Sequence, residues 1–403
     1  MVTVFTISGW MNKQLTIWIT LAALIAAGAV SCVKQPDSSA LDGWEKIGED
    51  PNPEDPANPD DPEDPDDPDK PKPDDPSPDP PQDEHWFLTR GIVCGWDDVN
   101  APKTLDYIDI ARKHGLNTFS IYGGPRGQQI WADFENDCAR YGIDLEYEEH
   151  MMSFLLPRNL FNTHPEYFRM NEQGVRTDDA NGCPSNKDAL EIVYQKAQEI
   201  GRNYKSTNHK YYFWQDDGGG RCYCPQCKDY NASDQALIYE NVCIEALKEI
   251  DPDAMLCHLC YATTTEPPKK VKPKDGIFLE FAPFYRNWYY PLKDTWVEGV
   301  NGMTHAKYLK SLHDHLEVFP VETAQVLEYW LDDSMWSGWN RSKLKEVPWD
   351  IDIFQSDLQT YAKYGIRHIT CYTAYVGPQY VMKFGYPDFL IEYADGLNNF
   401  VKE

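Results

Sequence analysis

Tyr211-Tyr212-Phe213-Trp214-Gln215-Asp216-Asp217-Gly218-Gly219-Gly220-Arg221-Cys222-Tyr223-Cys224-Pro225-Gln226-Cys227 is the stretch on which the reading of this 403-residue chain turns. Its four opening aromatics favour a pleated, buried segment. Two adjacent carboxylates follow, then three glycines that let the backbone turn where bulkier residues could not. A buried strand that ends in paired acids on a constrained loop is how parallel-sheet enzymes present reacting groups.

On either side of this stretch, hydrophobic periodicity alternates between strand and helix. Strands are expected over 91–96, 117–122, 143–147, 211–216, 255–261, 277–281, 324–330 and 368–375. Helices are expected over 105–114, 128–141, 187–204, 233–250, 304–316, 351–364 and 386–401, with Gly115, Gly142 and Gly365 as stops and Ser233 as a cap. A hairpin is expected at 165–174. Eight strands alternating with helices make an α/β chain of the (β/α)8, or TIM-barrel, type. An open doubly wound sheet is the alternative, but no Gly-x-Gly-x-x-Gly turn follows the first strand.

In such barrels the chemistry sits at the C-terminal strand ends. That rule collects Asp97, Asp98, Tyr122, Glu148, Glu149, His150, Asp216, Asp217, His258, Tyr261, Glu280, Glu328, Trp330, Asp332, Asp333, Tyr372 and Tyr375. Acids and aromatics dominate, which suits a sugar: its CH faces stack on rings and its hydroxyls bond to carboxylates. Glycosidic cleavage needs two carboxyl functions, or one acid plus help from the substrate. Asp216 and Asp217 are neighbours on a strand and so point in different directions. They are the candidate catalytic pair, with capping of the following turn as their structural alternative. Glu280 and Glu328 are further candidates for a paired carboxylate. Trp214, Glu148, His150, His258, Tyr261, Tyr285, Trp288, Trp330 and Tyr372 are the expected substrate contacts. A metal site built on His150 and nearby acids has no diagnostic spacing.

The chain around this core divides sharply. Residues 1–32 read as a secretory signal: an apolar run from Leu15 to Val30, then Ala29-Val30-Ser31-Cys32, a lipobox-like site with Cys32 as the lipidated residue. Met11 is a plausible true start. Residues 33–84 read as a disordered linker; 49–84 alone holds 16 acids, two lysines and 13 of the 30 prolines, with almost nothing to bury. Residues 85–403 are the barrel. Their net charge of −14, half of the formal −28, argues against nucleic acid as a partner. The expected partners are a glycan and, through the lipid anchor, the bacterial outer membrane.

Ten cysteines follow Cys32. Cys94, Cys257, Cys260 and Cys371 lie in apolar runs and read as core thiols. Cys222, Cys224 and Cys227, with Cys183, would suit a structural zinc; disulfides are the other reading in an exported protein. No cofactor is required by the chemistry.

At these residues the chain resembles a known family. Trp214-Gln215-Asp216-Asp217-Gly218-Gly219, the Cys222-x-Cys224-x-x-Cys227 cluster, Ser233-Asp234, Asn241 and Pro252 are similar to the glycoside-hydrolase-like domain of unknown function 4838. So are His164-Pro165-Glu166-Tyr167-Phe168, Cys183-Pro184-Ser185-Asn186 and Tyr261-Ala262 before Pro267-Pro268. The resemblance spans roughly residues 150–375. Such proteins are common in gut Bacteroidetes, and some form glycoside hydrolase family 163. It therefore implies endo-β-N-acetylglucosaminidase action on an N-acetylhexosamine-containing glycan. Related barrels carry an Asp-Glu pair at the end of strand four, the first orienting the substrate acetamide and the second acting as acid. By that pattern Asp216 is the orienter and Asp217 the acid, one methylene shorter than the family residue. A catalytically inactive glycan-binding lipoprotein is the alternative.

Overall fold

The computed structural model describes residues 85–122 and 129–403. The expected leader, Cys32 and the acidic linker lie outside the described residues. Among the described residues nine strands, all parallel, follow one another around a single sheet: β1 (Thr89–Gly95), β2 (Thr118–Tyr122), β3 (Asp144–Glu146), β4 (Glu148–His150), β5 (Lys210–Trp214), β6 (Met255–Cys260), β7 (Ile277–Phe281), β8 (Gln325–Glu328) and β9 (His368–Tyr372). The order is β3-β2-β1-β9-β8-β7-β6-β5-β4. β3 and β4 are two halves of the third expected strand, separated only by Tyr147. The first half pairs with β2, and the second turns to pair with β5. That handover brings the two ends of the sheet together and makes it the eight-stranded (β/α)8 barrel that the sequence predicts.

Helices α1 (Tyr107–His114), α2 (Gln129–Arg140), α3 (Lys187–Asn203), α4 (Ala232–Lys248), α5 (His305–Leu316), α6 (Ile351–Lys363) and α7 (Phe389–Asn398) follow the strands. Polar caps set their starts: Asp106, Asn186, Thr304 and Asp350 each accept a first-turn N–H. Gly115, at φ 81°, closes α1 in the left-handed conformation. The start of α4 differs from expectation. Asn231 is the cap, in a reciprocal box with Asp234, and Ser233 is the second residue of the first turn. Ser233 instead donates to the Glu266 carbonyl, while Asp234 Oδ1 accepts the N–H groups of Lys269, Lys270 and Val271 at 2.7–2.9 Å. These bonds tie down the β6–β7 connection, which carries a single 3-10 turn where a helix would normally lie. The expected hairpin at 165–174 shrinks to one bridge, Met170 with Arg176. Pro165 opens a 3-10 turn just before it.

Strand alternation sorts every barrel side chain into two populations. The outward one joins the helices in one large apolar core. The inward one is partly polar, unlike the branched aliphatic filling usual in such barrels. Lys210 Nζ and Tyr212 Oη both donate to Gln325 Oε1, at 3.1 and 3.2 Å, and Gln325 Nε2 donates to Glu280 Oε1 at 3.1 Å. Trp214 Nε1 and the Cys257 thiol donate to Glu280 Oε2 at 2.9 and 3.0 Å. A buried polar chain of this kind holds only if its members are satisfied, and it fixes the rotamers beneath the barrel mouth.

Candidate active site

The strand-five loop separates its two acids as the spacing requires. Asp216 is half-buried. Its Oδ2 accepts from the Arg158 guanidinium and from the Asn181 N–H. Its own N–H donates to Asn181 Oδ1 at 2.9 Å. The residue is therefore pinned to the loop that precedes α3. Asp217 is exposed, and its Oδ1 accepts from the Tyr261 hydroxyl at 3.2 Å. Burial, and next the charge of Asp217, push the Tyr261 phenol well above its ordinary range, so it remains a donor at neutral pH. Gly218 then turns the chain away at φ 64°.

Beside Asp217 stands an aromatic wall. The rings of Tyr261 and Tyr285 lie 6.4 Å apart and nearly parallel, Phe284 packs on Tyr329 at 5.1 Å, and Trp288 meets Tyr329 edge-on at 5.8 Å. Tyr329 also approaches Tyr372, which stacks on Tyr122 at 5.4 Å with the planes 3° apart. Opposite, the His150 ring meets Trp214 edge-on at 5.3 Å, and its Nδ1 is held at the Gln215 carbonyl.

Below the wall lie the inward glutamates. Glu148 is buried, and neither of its carboxyl oxygens has a hydrogen-bond partner of normal geometry among the described residues. Burial, then the charges of Glu280 and Glu146, raise its pKa far above that of an ordinary glutamate. Glu280 is pushed up to about 7, chiefly by burial, against the pull of its Cys257 and Trp214 donors. Both glutamates sit under the aromatic layer rather than in it.

Of the expected site residues, Asp216, Asp217, Glu148, His150, Trp214, Tyr261, Glu280, Tyr285, Trp288 and Tyr372 are gathered at the mouth or inside the barrel below it. Three are not. His258 points outward from β6: its Nδ1 bonds Glu240 Oε2 at 2.7 Å and its ring stacks on Phe319 at 4.9 Å. Glu328 points outward from β8 into a fully buried ion pair, 2.7 Å from Arg286, with Tyr361 also donating to it. Trp330, two residues on, packs on Phe354 and donates to Asp357 at 3.1 Å. All three lie one strand position out of phase with the inward residues, Cys257 and Leu259 on β6, and Gln325 and Leu327 on β8. Asp98, another strand-end acid, is consumed by a two-bond clamp to Arg341 and by the Tyr375 N–H.

Sequence reading missed Arg158 and Asn181, which share no local pattern with Asp216 and meet it only through the fold. It also missed Tyr329, although its parity with Gln325 and Leu327 marks it as inward.

A family profile described as a domain of unknown function, DUF4838, matches residues 94–378. The chain belongs to the DUF4838 family. The family match covers the strand-five acids, the aromatic wall and the cysteine cluster alike. No curated protein is similar to this DUF4838 chain in sequence. Among solved structures it is similar to a broad-specificity endoglucanase of the GH5-4 group from an uncultured bacterium, at 11% identity over 76% of this chain and 86% of that one, with a TM-score of 0.40. It is also similar to a mutant O-GlcNAc hydrolase from Thermobaculum terrenum, at 11% identity over 77% and 63%, TM-score 0.41. A third is an endo-β-1,4-mannanase from Thermotoga petrophila, at 11% identity over 80% and 79%, TM-score 0.40.

Proposed function

We propose that this DUF4838 barrel is a glycoside hydrolase acting on N-acetylhexosamine-containing glycans by substrate-assisted, retaining hydrolysis. One observation carries the reading: an exposed carboxylate, Asp217, bonded by Tyr261 and facing an aromatic wall, stands next to a carboxylate, Asp216, pinned by Arg158 and Asn181. Only Oδ2 of Asp216 takes part in those bonds, which leaves Oδ1 to accept the substrate's acetamide N–H. The acetamide oxygen then attacks the anomeric carbon as the glycosidic bond breaks, and Asp217 gives its proton to the leaving oxygen. Water opens the resulting cyclic intermediate and returns its proton to Asp217. Tyr261, Tyr285 and Trp288 would stack on sugar faces. The proposal includes export and lipid anchoring through Cys32 to the outer membrane, supported by the apolar run and small residues before that cysteine. A Cys32→Ala chain that stays in the membrane fraction would count against the anchor.

The test is hydrolysis of a panel of host and plant glycans by the purified protein, with product stereochemistry followed by NMR. Release of an N-acetylhexosamine-terminated product with retained configuration is expected. Binding of a glycan without cleavage would instead favour the inactive, glycan-binding alternative. Loss of activity to chelators at unchanged melting temperature would favour a metal-dependent hydrolase using His150.

A further inference from the structure

Four of the cysteines that the catalytic reading leaves unused come together. Cys183 lies on the loop before α3, and Cys222, Cys224 and Cys227 follow β5; all four are buried. Their sulfurs lie within 4.8 Å of one another, and all are free thiols. Cys183 Sγ is 3.7 Å from Cys224 Sγ and 3.9 Å from Cys227 Sγ. A disulfide would hold sulfurs at about 2.05 Å. Four sulfurs placed tetrahedrally about 2.3 Å from a zinc ion are about 3.8 Å apart along each edge. The spacing is that of ligands around a shared centre.

The surroundings match such a centre. The Met170 N–H points at Cys222 Sγ at 3.3 Å and the Arg176 guanidinium approaches the same sulfur at 3.8 Å, donors that would stabilise thiolates bearing excess negative charge. A buried amide braces the loop from α4. Gln235 Oε1 accepts the Cys222 N–H at 2.7 Å, and its Nε2 donates to the Cys222 and Cys227 carbonyls at 2.9 and 3.0 Å. The sulfur-bearing backbone is therefore held in place by contacts that do not involve the sulfurs.

We propose that Cys183, Cys222, Cys224 and Cys227 bind one structural zinc ion, and that this ion clamps together the two loops that position Asp216. Cys222 follows the Gly218–Gly220 turn that leads out of Asp216 and Asp217. Cys183 lies two residues beyond Asn181, whose N–H and side chain hold Asp216. A metal shared by the two loops fixes the distance between Asp216 and its partners without touching the mouth. Four soft ligands with no open position leave the ion no catalytic role.

The test is elemental analysis of the full-length protein together with the visible spectrum after cobalt(II) exchange. One zinc per chain is expected, with thiolate-to-cobalt charge transfer and the intense d–d bands of a tetrahedral all-sulfur site. Cys224→Ser should lose most of the zinc and change the cobalt spectrum. If that variant does not fold, the metal content and spectrum of the unaltered protein decide. Under one-tenth of a metal per chain, disulfides among these four cysteines in a non-reducing peptide map, or iron in place of zinc would each overturn the proposal. None of these outcomes depends on whether the barrel cleaves glycans.

Discussion

Glu280 and Glu328 invite comparison. They lie near the ends of neighbouring strands, are fully buried, and each has its pKa pushed up to about 7 by burial. Their fates are nevertheless opposite. Glu280 faces the interior and anchors the polar chain beneath the mouth. Glu328 faces the helices, where it shares Arg286 with Asp357, itself 2.7 Å from the same guanidinium. Burial and a shifted pKa thus mark a functional site and a structural ion triad alike. The direction in which the strand presents the side chain tells them apart.

The largest expected effect lies on the outward side. Arg286→Met leaves two buried carboxylates without their cation and should cost about 3–5 kcal/mol in urea denaturation. Glu280→Gln should cost less, about 1–2 kcal/mol, because its three donors face an acceptor that is already half-protonated near neutrality. A larger loss from Glu280→Gln than from Arg286→Met would reverse the assignment of roles.

The second effect is pH-dependent. A glutamate that ionises near 4.5 when unfolded but near 7 when folded contributes stability that is complete below 4.5 and is lost as pH rises to about 7. The histidines His305 and His315, lowered to about 4, and His368, lowered to about 3, act in the opposite sense: their contribution is lost as pH falls below 6.5. The informative quantity is therefore the difference between the unaltered protein and Glu280→Gln across pH 4.5–7.5. The variant should gain relative stability as pH rises, and a flat difference would show that Glu280 ionises normally.

The tryptophans sharpen the same contrast. Trp288→Ala, at the mouth, should weaken glycan binding by about 2–10-fold with little change in melting temperature, the scale of one ring contact. Trp330→Phe, facing α6, should lower the melting temperature and leave binding unchanged. The smallest effect is at Asn231, the α4 cap, where replacement by Ala should cost about 1 kcal/mol.

The barrel was legible because periodicity and glycine stops survive in any window of the sequence. The first and final strands sit close to where alternation predicts, and between β6 and β7, where alternation would call for a helix, the periodicity showed none. The split of the third strand at Tyr147 was not legible, since it reflects barrel closure rather than local sequence. The Asp216–Asp217 turn could be read locally, but its anchors Arg158 and Asn181 could not, being joined to it only by tertiary contact. His258, Glu328 and Trp330 were misassigned for a different reason. Proximity to a strand end was used without parity, although Gln325-x-Leu327-x-Tyr329 already carries the alternation that sends Glu328 and Trp330 outward.

The most direct test of the account is Asp217→Asn on a glycan that the unaltered protein cleaves. As the proton donor at the mouth, Asp217 should be worth about 10²–10⁴-fold in kcat, with glycan affinity preserved. A variant that binds as before and cleaves at the unaltered rate would contradict the claim that this aspartate does the chemistry.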